Sequence, residues 1–202
     1  LIARGKHSTS VSVRHARPTI KKSKKVMGCC RNNKVLQTKY VELTFLRSEL
    51  LYDIKNIAYV EGDLIPSDGE HNRHQTMDVG EDGNIDIVTR KLNLAYTECL
   101  DALYPYTNKA VECGTTKDDV LQEPFDYVIA MQVPEDFSQT TVEYMENLIH
   151  DYLVTRVLID WLGITHPDRK THWLELLQGI EEKLEECKNR RIKRVRRTLT
   201  PW

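Results

Sequence analysis

One run, Phe137–Pro167 (FSQTTVEYMENLIHDYLVTRVLIDWLGITHP), constrains this chain more than any other. Val142, Met145, Ile149, Tyr152, Leu153, Val157 and Trp161 recur at steps of three and four, which lines them along one helical face. Val154, Leu158 and Ile159 add a second apolar face, and a helix apolar nearly all round belongs inside a bundle. The punctuation agrees. Ser138 can accept from an unpaired amide at the start, and Glu143 and Glu146 lie toward the end where the helix dipole favours negative charge. Gly163 is placed to follow the last turn, with Pro167 as a stop beyond it. The spacing predicts a helix over 139–162 that is core rather than chemistry.

Around this pillar the periodicity predicts three more helices, about 41–58, 84–104 and 170–190. The first rests on Leu43, Leu46, Leu50 and Ile54, widened by Leu51 and Ala58 and ended by Gly62 and Pro66. The second carries Ile85, Val88, Leu92, Ala95, Tyr96, Cys99, Leu100 and Leu103 inward and stops at Pro105. The last carries Trp173, Leu176, Leu177, Ile180, Leu184 and Cys187. Residues 60–84 read as a long polar loop, a length that is unusual in a small domain and often functional. FDYVIAMQV (125–133) alternates like one short strand ended by Pro134, and SVSVRH (10–15) and KVLQTKYV (34–41) are further short pieces able to pair as strands. The fold expected is mainly α, a four-helix bundle with a long polar loop, at most one or two short strands, and extended basic termini. Its parts are an N-terminal arm (1–40), a helical body (41–187) and a tail (188–202).

A net charge of −1 conceals a strong segregation. Residues 1–41 hold 11 bases and no acid, and the residues after Glu186 hold 7 bases and no acid. Of the 29 bases, 11 therefore remain in the middle against all 30 acids, leaving it at −19. Such asymmetry bears on partners, not on fold. The arm has too little apolar surface to order alone, so we expect other chains or nucleic acid to hold it. Basic clusters of this kind neutralise phosphates and release counterions, yet neither end shows a recognition helix or a stacking set of aromatics. The other reading is assembly, in which the basic ends of one subunit embrace the acidic bodies of its neighbours. A head-to-tail interface of that sort closes into a ring when its rotation permits.

Catalytic motifs are missing from the sequence. The nine glycines are dispersed, with neither GxGxxG nor GxxxxGK[ST], and GxSxG and HExxH do not occur. His71 and His74 in HNRHQ, and His166 with His172, lack a CxxC or any other partner at zinc spacing, and Cys29-Cys30 is too close. Asp68, Asp78, Glu81, Asp82 and Asp86 lack the order of an EF-hand. His150, with Glu146 and Asp151 nearby, reads as an ordinary solvated helix pair. We therefore expect no enzyme, no cofactor, and no catalytic or metal residues; an enzyme centred on the 60–84 loop ranks last. The five scattered cysteines argue against a secreted disulfide framework. No apolar run reaches the roughly 18 residues of a membrane span, so no membrane partner is expected. The start has charge but no apolar stretch, so a signal peptide is not expected. Because the chain opens on Leu rather than Met, a trimmed start or a non-standard start codon is expected, with Met27 as an internal alternative.

VPEDFSQTTVEYMENLIHDYLVTRVLIDWLGITHP and NIDIVTRKLNLAYTECLDALYPYT resemble the small helical neck proteins of tailed bacteriophages, the head–tail connector or adaptor family. They look most like those of crAss-like and other Bacteroidales phages, over about two-thirds of the chain. The resemblance implies a four-helix connector-type adaptor in the virion neck, made in the host cytoplasm, and present as a dodecameric ring beneath the portal protein. Its extended termini would clasp portal, further neck or tail proteins and neighbours around the DNA ejection channel. It brings no catalytic residue. On this reading the partner-binding residues, toward portal, neighbour or DNA, are Lys21, Lys22, Lys24, Lys25, Arg190, Arg191, Lys193, Arg194, Arg196, Arg197 and Trp202. The alternative is a nucleic-acid-binding accessory protein that uses the same two basic ends.

Overall fold

Alternation, not helical spacing, decides the first element. In TKYVELTFL the residues Leu43 and Phe45 are buried while Tyr40, Glu42 and Thr44 face solvent, the two-residue period of a strand. The computed structural model describes residues 38–66, 70–110, 114 and 120–192. The chain separates into two units, 1–34 and 35–202, and every described residue belongs to the second. The stretch 10–15 expected to pair as a strand, the lysines at 21, 22, 24 and 25, and Lys193, Arg194, Arg196, Arg197 and Trp202 lie outside the described residues.

The described residues are mainly helical, with one two-stranded sheet. In order they form β1 (Thr38–Leu46), α1 (Arg47–Asp63), α2 (Glu70–Met77), α3 (Asp82–Ala102), β2 (Asp126–Pro134), α4 (Gln139–Thr165) and α5 (Pro167–Asn189). β1 runs antiparallel to β2 in an unbroken register from Thr38 opposite Pro134 to Leu46 opposite Asp126. Residues 41–46, expected as the opening of a helix, are therefore strand. Leu43 and Leu46 keep helical spacing while Leu43 and Phe45 keep the strand's, and the ladder to β2 settles the choice in favour of extension. The strand expected at 125–133 is present.

The long loop is a second correction. Residues 70–77 form α2, followed by a single 3-10 turn at Asp78–Gly80. EHNRHQTM offers little apolar surface, so its helix leans on neighbours. Thr76 and Val79 are buried, and the Trp161 indole donates to the Thr76 carbonyl at 3.0 Å. Gly62 makes room for α2 itself, since a Cβ there would lie 2.6 Å from Met77 Cγ. Rather than ending α1, Gly62 sits buried in its last turn.

α4 is the central pillar, packed by α5, α3, α1 and α2. Met145, Ile149, Leu153, Leu158 and Leu162 have no exposed surface at all, and each such side chain contributes about 1.5–3 kcal/mol by leaving water. Ser138 occupies the N-cap position, but its hydroxyl makes no capping bond; its carbonyl accepts from Thr141 and Val142. Gly163 lies inside α4, which runs on to Thr165, and Pro167 opens α5 instead of following a stop. Proline suits that first turn, where its missing N–H has no helical partner anyway. Among the described residues no helix is long and apolar enough to cross a membrane.

Candidate assembly surface

The described start of the basic tail is bound to the body of its own chain. Arg191 donates from Nη2 to the Tyr106 hydroxyl at 2.6 Å, and Tyr106 in turn donates to the Lys188 carbonyl at 2.9 Å. The guanidinium stands 5.5 Å from the Phe137 ring centre and 5.9 Å from that of Tyr106, and these rings meet edge to face at 6.1 Å. Nη1 reaches the carbonyls of Lys188 and Arg190, and Nε lies 3.6 Å from Asp136 Oδ1. One residue on, the Ile192 amide donates to the Asp136 carbonyl at 2.9 Å. A planar fork with five donors is the side chain suited to this arrangement.

Lys188 is also spent at home, donating to the Ala102 carbonyl at 2.9 Å and to Glu185 at 2.7 Å. Arg190 pairs with Glu186 at 2.7 Å, and the hydrogen bond to that carboxylate raises its pKa. Its side chain keeps half of its surface exposed. Of the two described members of the predicted partner-binding set, Arg191 is thus held by its own chain and Arg190 remains accessible. No signal local to the tail distinguishes them, since the distant partners of Arg191 come from the α3–β2 and β2–α4 connections.

Two further groups of ion pairs fasten the body. Arg156 joins Glu98 on α3, at 2.7 Å, to Asp160 on its own helix, at 2.8 Å, and Lys91 completes the group at 3.1 Å from Asp160. Burial alone would raise the Asp160 carboxyl, but Arg156 and Lys91 outweigh it and hold that pKa below the usual carboxylate value. Glu61 is buried and would likewise be raised; its hydrogen bonds to Arg169, at 2.9 and 3.1 Å, and the charge behind them lower it instead. Both arrangements tie helix to helix.

His150 faces Asp53 on α1 at 3.4 Å, and Asp151 more loosely at 4.0 Å. The pair stands at the rim of a groove of about 450 Å³ between α1, α4 and α5, floored by Ile57, Val154, Leu176 and Ile180. Asp53 is the partner that sequence proximity missed. His71 and His74 lie on α2, and no group of three or more His, Cys, Asp or Glu able to hold a metal occurs among the described residues. Cys99 is fully buried and its thiol is pushed up to about 12, so it stays protonated near neutrality.

The accessible surface carries large apolar side chains apart from the core. Tyr52 and Tyr59 project from α1 seven residues apart, with Val60 and Leu64 beside them, and Phe125 before β2 is 80% exposed. Tyr40 projects from β1 and Tyr104 follows α3. Aromatic residues at exposed positions suit contact with another protein, where they supply area at small entropic cost. Compared with family models, curated proteins and solved structures, the chain matches none.

Proposed function

We propose that this chain is a virion structural protein of the phage neck, forming a ring that joins the portal to the tail around the DNA channel. The observation that carries the reading is the segregation of charge: a middle at −19 between ends that total +18. Like bodies repel, and a basic end laid on the next acidic body offsets that repulsion nearly one for one. The Arg191 clamp supports the same reading, because it gives the remaining basic tail a fixed point of departure at Asp136. The exposed aromatics of α1 offer area for a subunit or portal contact. The ring is of the connector type, twelve-fold in the resemblance that suggests it, with a helical body as the wedge.

Negative-stain microscopy of the purified full-length chain, alone and with a portal ring, tests this. Rings of uniform diameter are expected. A strict monomer with no affinity for the portal would sink the proposal. The basic ends also favour a second reading, a nucleic-acid-binding accessory protein. That reading predicts DNA binding by the isolated chain with a steep log–log dependence on salt.

A further inference from the structure

The two edges of the small sheet differ. On β2, the Gln132 amide donates to the Tyr106 carbonyl at 2.9 Å, and the Val128 carbonyl accepts from the Tyr96 hydroxyl at 2.6 Å. These even-numbered residues therefore turn their backbone groups away from β1, and the odd ones, Tyr127 to Val133, bond across to Phe45, Leu43, Val41 and Lys39. By the same alternation Tyr40, Glu42 and Thr44 turn their amides and carbonyls outward. No backbone group among the described residues meets them. Proline and bulges are missing from this edge, and its charged side chains are Lys39 and Glu42. β1 is nine residues long and keeps a one-to-one register. Natural proteins seldom leave such an edge bare, since it is a template for another strand.

We propose that this edge receives residues 10–15 (SVSVRH) from the arm of a neighbouring copy as a third, antiparallel strand. The proposal rests on the assembly reading above and names the contact that would link one subunit to the next. With Arg14 opposite Glu42, the alternation falls into place: Val13 meets Leu43 and Val11 meets Phe45 on the core side, while Ser12 meets Thr44 on the solvent side. Arg14 against Glu42 is a favourable cross-strand pair, and the arm brings no acid to oppose it. Main-chain hydrogen bonds supply the affinity in this mode of recognition. The 22 residues from Ala16 to Gln37 extend to about 75 Å, ample to reach an adjacent body. An arm that crosses to the next copy both offsets the repulsion between bodies and carries the link. Pairing β1 with β1 of a second copy fits less well: centred on Glu42 it sets like charges together, and it closes a two-fold dimer instead of a ring.

The test uses full-length chains in a Cys29→Ser, Cys30→Ser, Cys113→Ser background, with Cys99 and Cys187 buried. One population carries Ser12→Cys, the other carries Thr44→Cys with a different tag, and the two are mixed, co-assembled and mildly oxidised. A disulfide between the two tags is expected. Its absence, or cross-linking only when both cysteines share one chain, overturns the proposal. Glu42→Lys should lower the yield about two- to five-fold, and Arg14→Glu should restore it. Independently, hydrogen exchange should find the Tyr40, Glu42 and Thr44 amides protected in the assembled protein. Ser12→Pro, which removes a bonding N–H from the arm, should abolish that protection; protection unchanged by it counts against the added strand. Uniform rings without the cross-link defeat the strand addition and leave the ring standing. Cross-linked oligomers that are not rings do the reverse.

Discussion

The guanidinium of Arg191 lies 5.5 Å from the centre of the Phe137 ring, fifty-four residues earlier in the chain. With Tyr106 and Asp136 it forms a latch that converts the end of α5 into a fixed exit for the tail. Replacing Arg191 with Ala should cost about 1–3 kcal/mol, the sum of a partly exposed cation–π contact and charged hydrogen bonds. Arg191→Lys should recover less than half, because an ammonium cannot reproduce the fork. Urea unfolding measures both, and exchange of the Ile192 amide should quicken well before the core does. Identical stability for Arg191→Ala and the parent chain would refute the latch.

Acid should loosen the body through Glu61 and Asp160. Both carboxyls have lowered pKa values when folded, so the unfolded chain binds more protons than the folded one across that range. Their contribution is complete above the ordinary carboxylate values, about 4, and is lost as pH falls through the lowered ones. The urea midpoint should therefore hold from pH 7 to about 5 and fall below about 4. Glu61→Gln, which cannot titrate, should be less stable at pH 7 and show a shallower acid decline. A midpoint that rises toward pH 3 would contradict this assignment.

How much of this was legible beforehand differs by element, and the reason is locality. α4 declares itself because every requirement of a buried helix is written within its own run, from Val142 to Trp161. β2 likewise alternates visibly. β1 misleads because Leu43, Leu46 and Leu50 keep helical spacing, while the partner that makes 38–46 a strand lies eighty residues or more later. α2 has no apolar face to announce it, only Thr76 and the distant indole of Trp161. The candidate assembly surface suffers most. Charge segregation can be counted from the sequence, but which cation stays accessible and which is latched depends on Tyr106, Phe137 and Asp136, and no periodicity brings them to Arg191.

The indole–carbonyl bond from Trp161 to Thr76 is buried and joins elements eighty-five residues apart. Trp161→Phe keeps most of the ring and removes the donor, leaving a carbonyl without its partner. The cost should be about 1–3 kcal/mol. Its location is the sharper expectation: amides of 73–79 should exchange faster while those at the centre of α4 hardly change. A uniform change across both helices would mean that the bond is not what anchors α2.

Two glycines should respond to alanine with opposite signs. Both lie inside helices, where glycine is less favourable than alanine by about 1 kcal/mol. At Gly179 a new Cβ meets nothing within 4 Å, so the helical gain stands alone and Gly179→Ala should stabilise by about 0.5–1 kcal/mol. At Gly62 the same Cβ would stand 2.6 Å from Met77 Cγ and 3.2 Å from the Arg73 carbonyl oxygen. Met77 can swing aside only by giving up its place against α1, and the backbone carbonyl cannot move without shifting α2. Overpacking of this kind costs about 1–3 kcal/mol, which exceeds the helical gain over most of that range. Gly62→Ala should therefore destabilise, and α2 should exchange faster. Paired urea melts of the two variants decide it: stabilisation by both would mean that α1 and α2 are farther apart than the Gly62 contact requires.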